Sequence, residues 1–305
     1  MGQEVGGTAE PKAASPPARR EALIVAAGVS LTILCWSSNF PFLRFILQVY
    51  DPNTTSVLRL ITGAVALAGY AAATRLPLPP LRDWPLFFVF GLTGVALATL
   101  LLNYGMRTLS AGAGSFLIGT VPIFSALFAR LFLRERLNRI AWWGIAISFG
   151  GVGLIALGEG EGLRLNVGAV FVVASALNQA FYYVFQKLLH RRYTSMQITC
   201  YSIICGALCV LPLLGDLPAL MARAPLGHTL AVMYLGIFPT ALAFTAWNFA
   251  LSRARAAKVT STMYAMPALA ITMAYFWLGE IPATLSLLGG LTALGGVAMV
   301  HVWGR

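Results

Sequence analysis

The stretch Asn103–Val152, NYGMRTLSAGAGSFLIGTVPIFSALFARLFLRERLNRIAWWGIAISFGGV, returns without a gap as Asn248–Val297, NFALSRARAAKVTSTMYAMPALAITMAYFWLGEIPATLSLLGGLTALGGV, at a constant offset of 145 residues. Apolar composition alone would match leucine and alanine by chance. The same register also pairs Asn103 with Asn248, Pro122 with Pro267, Glu135 with Glu280, Gly144 with Gly289, Gly150 with Gly295 and Gly151 with Gly296. The chain therefore carries an internal repeat. Carried upstream, the offset lays the first apolar run, with Trp36, on the sixth, with Phe181, so each copy holds five runs.

Of 305 residues, 58% are hydrophobic and only 10% charged, too apolar for a chain that must cover its core with polar surface. A helix needs roughly 20 mostly apolar residues to span hydrocarbon. Such spans are expected near 23–43, 55–73, 86–106, 112–133, 140–157, 167–187, 196–214, 229–251, 259–278 and 284–303. The fold class is thus an all-α membrane protein of ten transmembrane helices. It divides into a disordered cytoplasmic tail over 1–20, a first five-helix repeat over 21–158 and a second over 166–305. With an odd number of crossings per copy, the second copy enters from the opposite side, and the repeats are inverted about an axis in the membrane plane.

A net charge of +11 would suit nucleic acid only if basic residues clustered on a solvated face. Here they punctuate apolar runs, so no nucleic-acid partner is expected. Arg19, Arg20, Arg75, Arg82, the Arg134–Arg139 loop, Lys187, Arg191, Arg192 and the Arg253–Lys258 loop all fall on one side of the alternation. The other side holds only Arg44, Arg107, Arg164 and Arg223, which by the positive-inside rule puts both termini in the cytoplasm of a bacterial-type inner membrane. Arg19-Arg20 resembles the n-region of a signal peptide, but the run that follows is too long and lacks a small-residue cleavage site, so it reads as a retained first span. Cys35, Cys200, Cys205 and Cys209 lie inside spans without further ligands nearby; they read as packing residues, and neither metal nor cofactor is expected.

The opening Leu34-Cys35-Trp36-Ser37-Ser38-Asn39-Phe40, with Leu58-Arg59-Leu60 after it, resembles the start of an EamA domain. So do the series Pro122, Leu133, Glu135, Gly144, Gly150-Gly151 and its copy Pro267, Leu278, Glu280, Gly289, Gly295-Gly296. From about residue 22 onward the chain is similar to EamA-type transporters of the drug/metabolite transporter superfamily. That resemblance implies ten helices and, in many bacterial relatives, export of amino acids or related metabolites. Ser37 after Trp36 departs from the commoner Trp-Gly pattern.

Polar groups within a span are costly unless they face a cavity or another helix. In the sixth span Ser175, Asn178, Gln179, Tyr182 and Gln186 form one stripe at helical spacing, with Tyr183 beside it. The stripe is either a wall of a hydrated substrate cavity or a set of interhelical hydrogen bonds. Trp36 and Asn39 share a face of the first span, and Thr240, Phe244, Trp247 and Asn248 follow one another along the eighth. Indole beside amide suits a pocket with an apolar wall and a few orienting contacts, although Trp247 also fits an interfacial belt and Asn103 and Asn248 also fit interhelical bonds. Arg59, inside the second span, either holds a substrate carboxylate in a bidentate pair or snorkels to the interface. Tyr264 of the ninth span completes the candidate substrate-binding set, Trp36, Asn39, Arg59, Asn178, Gln179, Tyr182, Tyr183, Trp247, Asn248 and Tyr264. Pro122 and Pro267 interrupt helices mid-span and are candidate hinges. Arg130 reads as snorkelling, and Glu135 and Glu280 as end-of-helix anchors.

No Asp or Glu lies near the middle of a span, so coupling through a mid-membrane carboxylate is disfavoured, and facilitated diffusion or exchange fits better. A membrane-embedded enzyme would need convergent catalytic groups, and His190, His228 and His301 fall in a cytoplasmic loop, an outer loop and a terminal helix. No catalytic residue is assigned. A channel would call for charge rings or a carbonyl filter. The reading is a carrier whose partners are a small-molecule substrate and the lipid bilayer; substrate identity and oligomeric state do not follow from these residues.

Overall fold

The fold is that of a computed structural model describing residues 16–132, 134, 137–160, 164–189, 192–253 and 262–303. Among them, nine helices are long and apolar enough to cross a membrane, and a shorter apolar helix, Thr262–Leu278, follows the eighth. The helices are α1 (Pro16–Ile46), α2 (Pro52–Ala73), α3 (Leu81–Gly105), α4 (Ala111–Phe132), α5 (Arg139–Gly158), α6 (Val167–Leu189), α7 (Ser195–Leu213), α8 (Leu226–Ala250, running on to Arg253), α9 (Thr262–Leu278) and α10 (Thr284–Trp303). The first described residue, Pro16, is already within α1. Of the expected anchors and loop cations, Glu135, Arg136, Arg191, Arg255 and Lys258 lie outside the described residues.

Side chains close the helix starts where backbone N–H groups would otherwise lack partners. Asp51 accepts from the N–H groups of Asn53 and Thr54, Ser110 from Ala113 and Asn138 from Ala141. Thr194 and Gln197 form a reciprocal capping box at α7.

Contacts at the two ends fix the direction of each helix. At one end Arg44 closing α1 meets Met106, Arg107 and Glu280, Tyr104 meets Asn53, Tyr50 meets Thr229, and Glu159 closing α5 meets Ser110 and Ser286. At the other, Asp83 opening α3 meets Tyr193 and Arg192, Gln197 meets Pro77, and Arg253 meets Glu21. These are called the Glu280 end and the Arg192 end. Helix α1 runs toward the Glu280 end and α6 away from it.

The most extensive helix pair is α5 with α10, where small residues let two backbones touch. A Cβ on Gly144 would lie 2.7 Å from the carbonyl oxygen of Gly296, and one on Gly151 would lie 2.5 Å from that of Gly289. Gly144 and Gly289 are repeat mates, as are Gly151 and Gly296, so the two contacts exchange when the copies are exchanged. Gly150, Gly153 and Gly295, which stand next to or near these small residues in the chain, face away, and a Cβ on any of them would meet nothing within 4 Å.

Helices α3 and α8 each contain a π-helical segment, Gly91–Leu97 and Gly236–Leu242, again 145 residues apart. Short π segments inside α-helices recur at functional sites. Gly91 packs against α7 beside Ser202 and Gly206, and Gly236 against α2 beside Arg59 and Gly63, contacts too close for any side chain. The carbonyls of Ala98 and Ala243, repeat mates just past the segments, accept from Ser175 of α6 and Thr32 of α1.

Candidate substrate site

The two π segments are each covered by an aromatic side chain from the helix that crosses them. The Trp36 indole of α1 donates through Nε1 to the Pro239 carbonyl at 3.1 Å, and its ring lies 5.2 Å from Phe244 and 5.1 Å from Trp247. In the other copy Tyr182 of α6 lies over Gly94, the repeat mate of Pro239, with its ring 5.8 Å from Phe90 and from Tyr183. A Cβ on Gly94 would fall 2.5 Å from the Tyr182 ring, so only glycine admits the phenol there.

The two aromatic groups approach each other through α7. Asn248, next to Trp247, donates from Nδ2 to Thr199 Oγ1 at 3.2 Å, and the Tyr182 hydroxyl lies beside Thr199 and Ser202. Asn103, the mate of Asn248, bonds Ser56 of α2 at 2.8 Å, so each asparagine makes an interhelical bond within its own copy. Thr199 and Ser202 did not emerge from the sequence; two hydroxyls three residues apart in an apolar span were the available signal.

Arg59 lies deep in α2 yet keeps some accessible surface. Its Nε reaches Thr240 Oγ1 at 3.4 Å, its NH1 is buried without a hydrogen-bond partner, and it makes no ion pair with a described residue. The Thr240 hydroxyl in turn donates to Leu235 five residues back, within the π segment that holds Pro239. Asn39, one turn after Trp36, is buried with Oδ1 unpartnered. An arginine donor and an amide acceptor are thus left open near the indole pair, and unpaired buried polar groups are expensive.

The remaining predicted residues divide. Asn178 donates to the Ala174 carbonyl of its own helix, and Gln179 is half-buried with no hydrogen bond to a described residue. Tyr183 packs beside Tyr182. Tyr264 is not with the others: it sits in a 3-10 turn with its ring 6.5 Å from His301 and packs on a cluster holding Ile145 and Val297. Arg130 is exposed. Pro122 follows a break at Gly119–Thr120 that splits α4 into Ala111–Ile118 and Val121–Phe132. Pro267 differs from the mid-helix kink expected of it, standing in the first turn of the α-helical part of α9, where its missing N–H costs no bond.

At the Glu280 end the halves are fastened together. The first half of α4 packs on α1, α6 and α9, and its N-terminus grips two carboxylates: Ser110 N–H donates to Glu159 at 2.7 Å and Ala111 N–H to Glu280 at 3.3 Å. Anionic groups there also meet the positive end of the helix dipole. Glu280 pairs with Arg44 Nε at 3.0 Å, and Glu159 accepts from the Ser110 and Ser286 hydroxyls at 2.8 and 2.9 Å. Toward the Arg192 end the second half of α4 packs on α6 and α10, the start of α9 packs on α1, and Ile123 of α4 and Tyr264 of α9 share one apolar cluster.

An apolar bundle of this kind defines a multi-pass membrane protein. The sequence pattern of the EamA-like transporter family matches residues 23–157 and again residues 166–302, and the chain belongs to that family. It is 36% identical to the uncharacterized transporter YdfC of Bacillus subtilis over 93% of each chain. It is also 36% identical to the probable terminal-alkyne amino-acid exporter of Streptantibioticus cattleyicolor, over 89% of this chain and 91% of that one. The uncharacterized inner membrane transporter YedA of Escherichia coli K12 shares 26% over 79% and 78%. A crystal structure of a protein with 18% identity superposes with a TM-score of 0.61 over 94% of this chain and 97% of that chain, a likeness of fold.

Proposed function

We propose that the protein exports amino acids or similar small amphipathic metabolites by alternating access, through a site between Trp36 and Tyr182. The observation that carries this is the pairing of two repeat-related π segments, each faced by an aromatic from α1 or α6. An apolar or aromatic side group lodges against the indoles of Trp36 and Trp247 and the phenol of Tyr182. Asn39, Gln179 and the unpaired Arg59 read the polar end, the guanidinium taking a carboxylate. The relative described as an amino-acid exporter supports that substrate class.

In this reading the chain has ten spans in two inverted copies. The exchangeable contacts of Gly144 with Gly296 and Gly151 with Gly289 join antiparallel helices, and a two-fold relating such a pair lies across the helices, in the membrane plane. Both termini are cytoplasmic by charge, which makes the Glu280 end external. The carboxylate contacts of Glu159 and Glu280 then fasten the external side, and the break before Pro122 is the hinge of α4. Single cysteines test the orientation: Arg164→Cys reacts with an impermeant maleimide in intact cells and Leu78→Cys does not. The reverse pattern overturns it.

The site is tested in proteoliposomes with labelled amino acids and counterflow. Trp36→Ala, Gln179→Ala and Tyr182→Ala each weaken apparent affinity by about 1–3 kcal/mol, the usual loss at an unpaired buried polar group. Arg130→Ala behaves as wild type. Unchanged affinity and rate in all three, for a substrate that shows counterflow, rejects the site. Flux without saturation or counterflow favours a channel.

A further inference from the structure

A groove of about 450 Å³ opens between α3 and α6 at the Arg192 end, beside the Tyr182 part of the aromatic site, with which it shares Phe90. Its walls are apolar, built from Leu86, Val89, Phe181 and Phe185, and its rim is formed by Asp83, Arg192 and Tyr193. Leu86 and Val89 are 42% and 52% exposed although they belong to a helix that crosses the membrane, so the groove opens sideways into hydrocarbon.

The rim has a fixed charge arrangement. Asp83 accepts a hydrogen bond from the Tyr193 hydroxyl, which holds the carboxylate in place between two arginines. Arg82 approaches it to 3.7 Å and Arg192 to 4.0 Å, both beyond hydrogen-bond length, and both side chains are mostly exposed. Neither guanidinium donates a hydrogen bond to a described residue. Two cations against one carboxylate leave one net positive charge with unused planar donors above an apolar slot. Guanidinium forks match phosphate oxygens, and basic pockets between helices at the membrane surface bind anionic headgroups.

We infer that this groove binds one anionic phospholipid, with an acyl chain between Val89 and Phe185 and the phosphate bridging Arg82 and Arg192. The inference rests on membrane placement and on this rim, and is independent of the transported substrate.

The test is native mass spectrometry of the full chain in detergent, titrated with phosphatidylglycerol and with phosphatidylcholine. Wild type retains one phosphatidylglycerol in preference to phosphatidylcholine. A basic side chain near a membrane surface is worth about fivefold in binding, so Arg82→Ala with Arg192→Ala lowers phosphatidylglycerol retention about thirtyfold and leaves phosphatidylcholine unchanged. Val89→Trp, which fills the slot and leaves the charges, lowers retention as well, while Arg223→Ala, at the Glu280 end, keeps it. Equal binding of both lipids by wild type overturns the inference, as does retention insensitive to both the double variant and Val89→Trp. A dimer in place of a lipid adduct overturns it too, because a second copy then covers the groove.

Discussion

Gly151→Leu will leave little folded protein, whereas Gly150→Leu will be tolerated. At Gly151 even a Cβ would fall 2.5 Å from Ala293 N and from the Gly289 carbonyl oxygen, and the obstacle is backbone that cannot rotate aside. Overpacking commonly costs about 1–3 kcal/mol, and a backbone obstacle puts this case at or above the upper figure. That is a large share of the roughly 5–15 kcal/mol that holds a typical domain folded. Next door, Gly150 has nothing within 4 Å, and leucine there enters lipid. Monodisperse yield and thermal midpoint in detergent decide the matter; equal behaviour of the two variants would show that α5 and α10 are not in backbone contact.

The second expected result concerns the carboxylates at the Glu280 end. Glu159→Ala removes the acceptor for Ser110 N–H and for the Ser110 and Ser286 hydroxyls, and Glu280→Ala removes the partner of Arg44 and of Ala111 N–H. Hydrogen bonds to a charged group contribute about 1.5–3 kcal/mol, so each substitution shifts the balance between closed and open ends roughly ten- to hundredfold. Spin labels at Val49 and Ile281, both exposed at that end, should report a longer distance in the double variant than in wild type. Superimposable distance distributions would mean that the apolar contacts of α4 close this end without help from the acids.

Much of this architecture was legible because lipid is a demanding solvent. Spans expected at 140–157, 167–187 and 284–303 lie within a few residues of α5, α6 and α10, since hydrocarbon thickness sets their length. The aromatic groups were legible in part: Trp36 and Tyr182 stand out as amphipathic groups that lipid would penalise, and each does lie against a neighbouring helix. What periodicity could not carry was a change of helical register. The π segments at Gly91 and Gly236 rotate everything after them, and an α-helical wheel drawn through α3 or α8 misplaces both ends. The offset of 145 does extend to Gly91/Gly236 and Ala98/Ala243, so the repeat held that clue in residues too small to attract notice. Tyr264 escapes the pattern for a different reason: it stands in a 3-10 turn rather than on an α-helical face. Nor could spacing distinguish Gly150 from Gly151, because only the crossing of α5 over α10 decides which small residue meets the partner.

That crossing also equips the molecule for measurement. Gly150 and Gly295 are repeat mates on two helices locked through backbone contact, and both positions are sterically vacant. Probes placed there would ride on the most extensive helix contact among the described residues, and their separation should stay constant through a transport cycle. Any pair spanning the Arg192 end can then be read against them, so that a change in one distance and constancy in the other separates true rearrangement from instrument drift or detergent effects.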